Sequence, residues 1–298
     1  MTEMTSLDLW VILTATVCAC ACATSGVFLV LRGLAMLADA VSHSVLFGIV
    51  LAFLLTGSRA PLVILVGAGI VGVFTALAAQ FLNKEGKLQE DASIGVSFTW
   101  LFAVGVILVS AFAGRVDIDQ ECVLYGEIAF VPFDTLTLWG VEIGPRAFWM
   151  LLVVAVIDII VVLFSKARFE LVTFDPSFAE TAGIKSRRWH YLLVCLVSLT
   201  SVASFEAVGV ILVVGMMVIP PNIALLFSRG TTSMLWLSNL FAVLSAVLGY
   251  WLAVAIDASV SASMVVVAGC LYGVMALLKY GMATVTAVPS KRAELLEL

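Results

Sequence analysis

Apolar stretches long enough to cross a bilayer, repeated along the whole chain, constrain the fold more than any motif. A helix needs about 20 apolar residues to span the hydrocarbon core, because there it must satisfy its own backbone hydrogen bonds. The stretches run over 10–30, 39–55, 61–82, 92–112, 148–164, 189–203, 208–226, 234–254 and 262–278. Several are short, so eight spans, or one re-entrant segment, stand beside nine as alternatives. Only 12% of the 298 residues are charged, against roughly 25% in a soluble domain. No polar stretch is long enough for a separate soluble domain. The expectation is an all-α integral membrane protein, one polytopic bundle of 8–9 transmembrane helices over 1–298. The first eight residues carry no basic segment, and the apolar run behind them is long enough to remain as a span, so no cleaved leader is expected. The chain has no basic run of the kind that binds nucleic acid.

Lys and Arg set the orientation. Alternating loops place 12 basic residues, among them Arg32, Lys84, Arg187 and Arg229, on one side and only Arg59, Arg115 and Arg146 on the other. The richer side is cytoplasmic, which puts the N-terminus outside and the C-terminus inside. Two loops stand out. The outer one, Ala113 to Ala147, is acidic through Asp117, Asp119, Glu121, Glu127, Asp134 and Glu142; it reads either as a cation-attracting or docking segment or as a plain solvated loop. The inner one, 165–188, contains a helix-start signature: Asp175 as N-cap, Pro176 at the first helical position and Gly183 at the C-cap. It predicts a short helix under the membrane. Pro220-Pro221 should kink or shorten the span that holds them.

Asp39 and His43 lie four residues apart inside the second apolar stretch. On a helix that spacing puts both on one face, with Cβ atoms roughly 5–6 Å apart, close enough to share a divalent cation. A charged Asp in hydrocarbon costs about 2.5–3.5 kcal/mol on insertion scales. The pair reads either as ligands on a metal route or as two groups hydrogen-bonded to each other. Glu206, at the outer end of a pair of spans, is the first choice for a third ligand; Asp158 and Asp257 read as a bundle-pairing group and an interfacial charge. Such nitrogen and oxygen donors suit Mn²⁺, Fe²⁺ or Zn²⁺ better than Cu(I). Cys18, Cys20 and Cys22 read as small packing residues, and His190 as an interfacial anchor. Gly67-Ala-Gly69-Ile-Val-Gly72 matches a dinucleotide fingerprint, but inside a span it serves close helix contact. No P-loop and no H-E-x-x-H occurs.

Four segments together resemble the membrane permease subunit of bacterial ABC importers for zinc, manganese or iron: Leu31-Arg-Gly-Leu-Ala-Met-Leu-Ala-Asp39-Ala-Val-Ser-His43-Ser, Glu90-Asp-Ala-Ser-Ile-Gly-Val, Phe174-Asp-Pro-Ser-Phe-Ala179-Glu-Thr-Ala-Gly183, and Phe205-Glu-Ala-Val-Gly209 through Pro220. The resemblance implies a site in the bacterial cytoplasmic membrane, a second permease (the same or a sister chain), a cytoplasmic ATPase dimer and an extracytoplasmic metal-binding protein. It implies a transported divalent metal, with no permanently bound cofactor and ATP hydrolysis on another subunit. Asp39 and His43 match the family's D-x-x-x-H pair on the metal path. Phe174, Asp175, Ala179 and Gly183 match its ATPase-coupling helix. Pro220-Pro221-Asn222 departs from the family, whose members often carry Pro followed by small residues.

A mechanism of alternating access follows: the ATPase dimer closes, the inner loops move and the two permeases rock about a central path. Asp39 and His43 would bind the ion weakly enough to release it. The competing readings are a stand-alone proton-coupled metal transporter or channel, an importer of cobalamin or chelated iron, and an intramembrane enzyme built on Asp39 and Asp158.

Overall fold

The structure is a computed structural model and describes residues 6–58, 60–112, 128–138 and 141–294. Among these, nine helical segments are long and apolar enough to cross a membrane. The first four helices are α1 (Ser6–Leu31), α2 (Ala35–Thr56), α3 (Pro61–Lys84) and α4 (Glu90–Phe112). A 3-10 turn (Ile128–Phe133) and a two-stranded antiparallel hairpin, β1 (Thr135–Leu138) and β2 (Val141–Pro145), follow. Then come α5 (Arg146–Phe174), the short α6 (Pro176–Thr181), α7 (Ser186–Phe205), α8 (Ala207–Phe227), α9 (Thr231–Ile256) and α10 (Val260–Glu294). The hairpin occupies part of the expected outer acidic loop. Asp117, Asp119, Glu121 and Glu127 of that loop lie outside the described residues.

The core is built on α1, which packs against α5, the α7–α8 pair and α9. Ala21 through Leu29 are buried without a break, as expected for a helix that is apolar all round. Small residues let neighbouring backbones come close. The closest approach is at Gly26, where a Cβ would sit 2.0 Å from the Met217 carbonyl oxygen of α8. A second group, α2, α3 and α4, pack on one another and lean on the α7–α8 pair. Here Gly67 faces Ala52 and Gly72 faces Ser198 and Val41, while Gly69 faces open space.

Helical geometry continues from Ser186 to Phe227 except at Gly209, whose φ of 77° and ψ of 169° belong to a region essentially reserved for glycine. A straight helix of 42 residues would be about 63 Å long, twice the thickness of the hydrocarbon core. It does not run straight. Ser201 Oγ lies 3.7 Å from Met217 Sδ, and these residues are eight positions before and eight after Gly209. The chain therefore reverses there, and α7 and α8 form an antiparallel pair with almost no loop. The apex is covered by protein: every residue from 201 to 210 is buried, Glu206 aside, whose side chain is not described.

Two sequence expectations are corrected. Pro220 and Pro221 do not end their span; the helix runs through both to Phe227. Pro221 has no N–H for the Met217 carbonyl, and that oxygen is the one packed against Gly26. The Asn222 side-chain amide donates to the Val218 carbonyl at 2.8 Å. Such local contacts are how a membrane helix tolerates proline. Also, much of the inner segment 165–188 is not a loop. α5 continues ten residues past 164, to Phe174. The charges Lys166, Arg168 and Glu170 end the apolar run, but Phe169 keeps the helix packed. It is fully buried, with its ring 5.0 Å from Phe28 and 5.4 Å from Trp189.

Gly26→Ala should place a methyl against a backbone carbonyl that cannot swing away. The expected loss is about 1–3 kcal/mol, the usual cost of overpacking, read as earlier thermal unfolding of the detergent-purified protein.

Candidate metal path

A turn at Gly33, with φ of 72°, separates α1 from α2 and puts Asp39 and His43 on the second and third turns of α2. His43 Nε2 lies 3.4 Å from Asp39 Oδ1, and both side chains keep 31% of their surface exposed. Two donors about 2.1 Å from a four-coordinate ion are roughly 3.4 Å apart. The pair thus has the bite of a metal chelate. It also satisfies the plainer reading of an ion pair, and the two readings share one geometry. The imidazole is held from α4: Phe98 stacks on it at 5.7 Å and 21°, and Phe102 meets it edge-on at 5.7 Å and 74°. Sequence reading passed over both, although their i, i+4 spacing was visible. The hydroxyls next to the pair donate back into their own helix, Ser42 to the Ala38 carbonyl and Ser44 to the Val41 carbonyl, and both serines are buried.

The other acidic residues separate cleanly. Among the described residues, no three His, Cys, Asp or Glu side chains cluster as a metal site. Glu206 sits at the α7–α8 apex, and its side chain lies outside what the structure describes. Asp158 is fully buried on α5 and accepts from Thr200 Oγ1 of α7 at 2.6 Å, while its Oδ1 has no partner. It ties two helices together and forms no dyad with Asp39. Asp257 ends α9 as an exposed left-handed cap with φ of 53°. Cys18 and Cys22 are buried thiols, with Cys22 Sγ 3.7 Å from Ser204 Oγ.

At the opposite end of the reading frame for function, α6 is closed at both termini by local chemistry. The Asp175 carboxylate accepts from the Phe178 N–H at 2.9 Å. At the other end Gly183, with φ of 79°, donates to the Glu180 carbonyl and Ile184 to the Ala179 carbonyl, the paired bonds of a Schellman cap. Ala179 is buried, whereas Phe174 and Phe178 are 67% and 58% exposed. Two aromatic rings beside a rigid short helix form a surface suited to a protein partner. Phe178 was not singled out from the sequence, because nothing in its spacing distinguishes an outward ring from a core one.

Residues 4–279 match the model of the ABC 3 transport family. The chain is 46% identical over 267 residues, 90% of each chain, to the manganese transport system membrane protein MntD of Bacillus subtilis. It is 37% identical over 267 residues to the zinc transport system membrane protein TroD of Treponema pallidum, covering 90% of this chain and 72% of that one. Its fold superposes with a TM-score of 0.76 on PsaBC from Streptococcus pneumoniae solved in complex with Fab, at 25% identity over 91% of each chain. The chain belongs to the ABC 3 transport family. The resemblance to metal-importer permeases drawn from the four sequence segments therefore holds.

Asp158→Asn should keep the Thr200 contact and the stability of the fold, with metal uptake unchanged. Asp158→Ala removes the interhelical bond and leaves a void, while Thr200 keeps its bond to the Leu196 carbonyl at 2.9 Å; it should cost about 1–3 kcal/mol, measured by thermal unfolding. Loss of uptake in a stable Asp158→Asn protein would instead make this residue a ligand.

Proposed function

We propose that this chain is the membrane permease of an ABC importer that carries a bare divalent transition-metal ion, Mn²⁺ or Zn²⁺ first and Fe²⁺ third, into the cytoplasm. The observation that carries the proposal is the Asp39–His43 couple, 3.4 Å apart on a helix face that this chain leaves open. A carboxylate facing lipid on the second turn of α2 is still costly, though less so than the about 2.5–3.5 kcal/mol of a helix centre. A second permease, identical or sister, removes that cost by covering the face and placing two such pairs about a shared path. Glu206 is a further ligand candidate at the outer apex.

Function then divides along the chain. The 12-to-3 split of basic residues puts the α6 end in the cytoplasm, the N-terminus outside and the C-terminus inside, in the bacterial cytoplasmic membrane. A cytoplasmic ATPase dimer docks on α6 through Phe174 and Phe178, with Asp175, Ala179 and Gly183 fixing its shape. An extracytoplasmic metal-binding protein delivers the ion at the opposite face. Alternating access moves the ion past Asp39 and His43. Two ligands per subunit bind loosely enough for release, as conduction requires. Family membership leaves the stand-alone proton-coupled reading without support.

ATP-driven uptake of Mn²⁺, Zn²⁺ and Fe²⁺ by the reconstituted complex tests the site. His43→Ala and Asp39→Asn should each lower uptake of the cognate metal by at least about a hundredfold, the upper end of what an outer-sphere change costs. Unchanged uptake of all three metals in His43→Ala refutes the assignment. A Phe174→Glu, Phe178→Glu double variant should fold normally, because both rings are exposed, yet lose ATPase binding in a pull-down with the purified ATPase.

A further inference from the structure

Between the α1–α2 turn, the end of α3, α6 and the start of α7 lies a cavity of about 450 Å³. A smaller recess of about 90 Å³ shares Lys84, Glu90 and His190 with it. Arg32, Lys84, Arg187 and His190 line the cavity, together with Glu90 and Glu180. Arg32 and His190 are half-buried; the other four are exposed. Arg32 Nε donates to Thr173 Oγ1 at 3.0 Å, but one terminal guanidinium nitrogen is buried without a partner. Arg187 donates to the Tyr191 hydroxyl at 2.8 Å, and Tyr191 donates in turn to Gln80 Oε1 at 3.0 Å. Among the described residues, no carboxylate lies within 4 Å of Arg32, Lys84 or Arg187. Burial pushes the Arg32 guanidinium down to about 10, because it is desolvated without a counter-charge.

Three cations and two carboxylates line one cavity, an excess of one positive charge, and a buried guanidinium nitrogen of Arg32 is left without a partner; together these call for an anion. The planar guanidinium fork suits an oxyanion with several acceptor oxygens. Position narrows the choice. Arg32 follows the last residue of α1, Lys84 is the last residue of α3, and Arg187 is the second residue of α7. All three therefore sit at helix ends, at the level where lipid phosphates lie, and basic pockets between helices at that level hold acidic headgroups. The cavity is not on the metal face. Leu34 lines it and Leu37 lines the smaller recess beside it; both are buried, whereas Asp39 and His43 keep 31% of their side-chain surface exposed.

We propose that this cavity is a phosphate-class oxyanion site, filled by the headgroup of an anionic phospholipid or by free phosphate. Arg32 is its floor and Lys84 and Arg187 its rim. The bound anion bridges the α1–α2 turn to the ends of α3 and α7, and so ties the helix that bears Asp39 to the elements beside α6. The relation of this site to the metal path and to the ATPase, and its place in the inner leaflet, rest on the function proposed above.

The test compares the purified permease–ATPase complex in phosphatidylcholine nanodiscs, in nanodiscs with phosphatidylglycerol, and in phosphatidylcholine nanodiscs with added inorganic phosphate. Thermal unfolding is the readout. Wild type should gain stability from phosphatidylglycerol, from inorganic phosphate, or from both. The first alone identifies a headgroup, and the second a free anion. The gain should be at least halved in Arg32→Gln and in Lys84→Gln. It should survive in Arg229→Gln, an exposed cation at the same end of the bundle and outside the cavity. If Arg32→Gln does not fold, Lys84→Gln on the exposed rim decides the matter. No gain from either probe, a gain undiminished in the folded cavity variants, or equal loss in Arg229→Gln overturns the site. Metal uptake is not the readout, so a negative result leaves the Asp39–His43 assignment untouched.

Discussion

A carboxylate beside an imidazole, each with 31% of its side-chain surface still exposed, is hard to reconcile with a bilayer unless something else sits against it. The rest of the structure is arranged around that requirement. α2 carries both groups, and α4 braces the imidazole with Phe98 and Phe102 at 5.7 Å each. α3 and the α7–α8 pair support α2 from behind. Elsewhere the bundle hides its polar groups: Asp158 is matched to Thr200, and the serines beside His43 bond to their own helix. The contrast gives the open pair its meaning. Most polar side chains named inside the bundle are buried, whereas Asp39 and His43 stay partly accessible.

Much of the architecture was legible because a bilayer simplifies the reading. Runs of about 20 apolar residues have few alternatives to a spanning helix, and the Asp175, Pro176 and Gly183 signals correctly marked the ends of a short helix. Where reading fell short, tertiary contact had the deciding role. Hydropathy stopped α5 at the charges around Lys166, but the buried Phe169, between Phe28 and Trp189, carries it ten residues further. Pro220-Pro221 looked like a break because the lost hydrogen bonds are visible in sequence, while the Gly26 contact and the Asn222 amide that accommodate them are not. The true reversal, at Gly209, carries no mark beyond a glycine.

The candidate site shows the same division. The i, i+4 spacing of Asp39 and His43 needs no structure to be noticed, but their 3.4 Å separation does. The identity of Asp158's partner lies 42 residues away on another helix and no local pattern reveals it. Arg32, Lys84 and Arg187 each look like ordinary interfacial cations in sequence, since only the folded chain shows that they meet at one hollow.

The placement of the α2–α4 group has a last consequence. His43, Asp39 and both phenylalanines that hold the imidazole ride on α2 and α4, so a rigid displacement of those helices carries the pair along with its own scaffold. A shift of that kind preserves the chelate within one subunit and changes only what faces it. On the proposed function, capture and release of the ion would be governed by the distance between two intact half-sites and by the entry of water between them, rather than by distortion of either half.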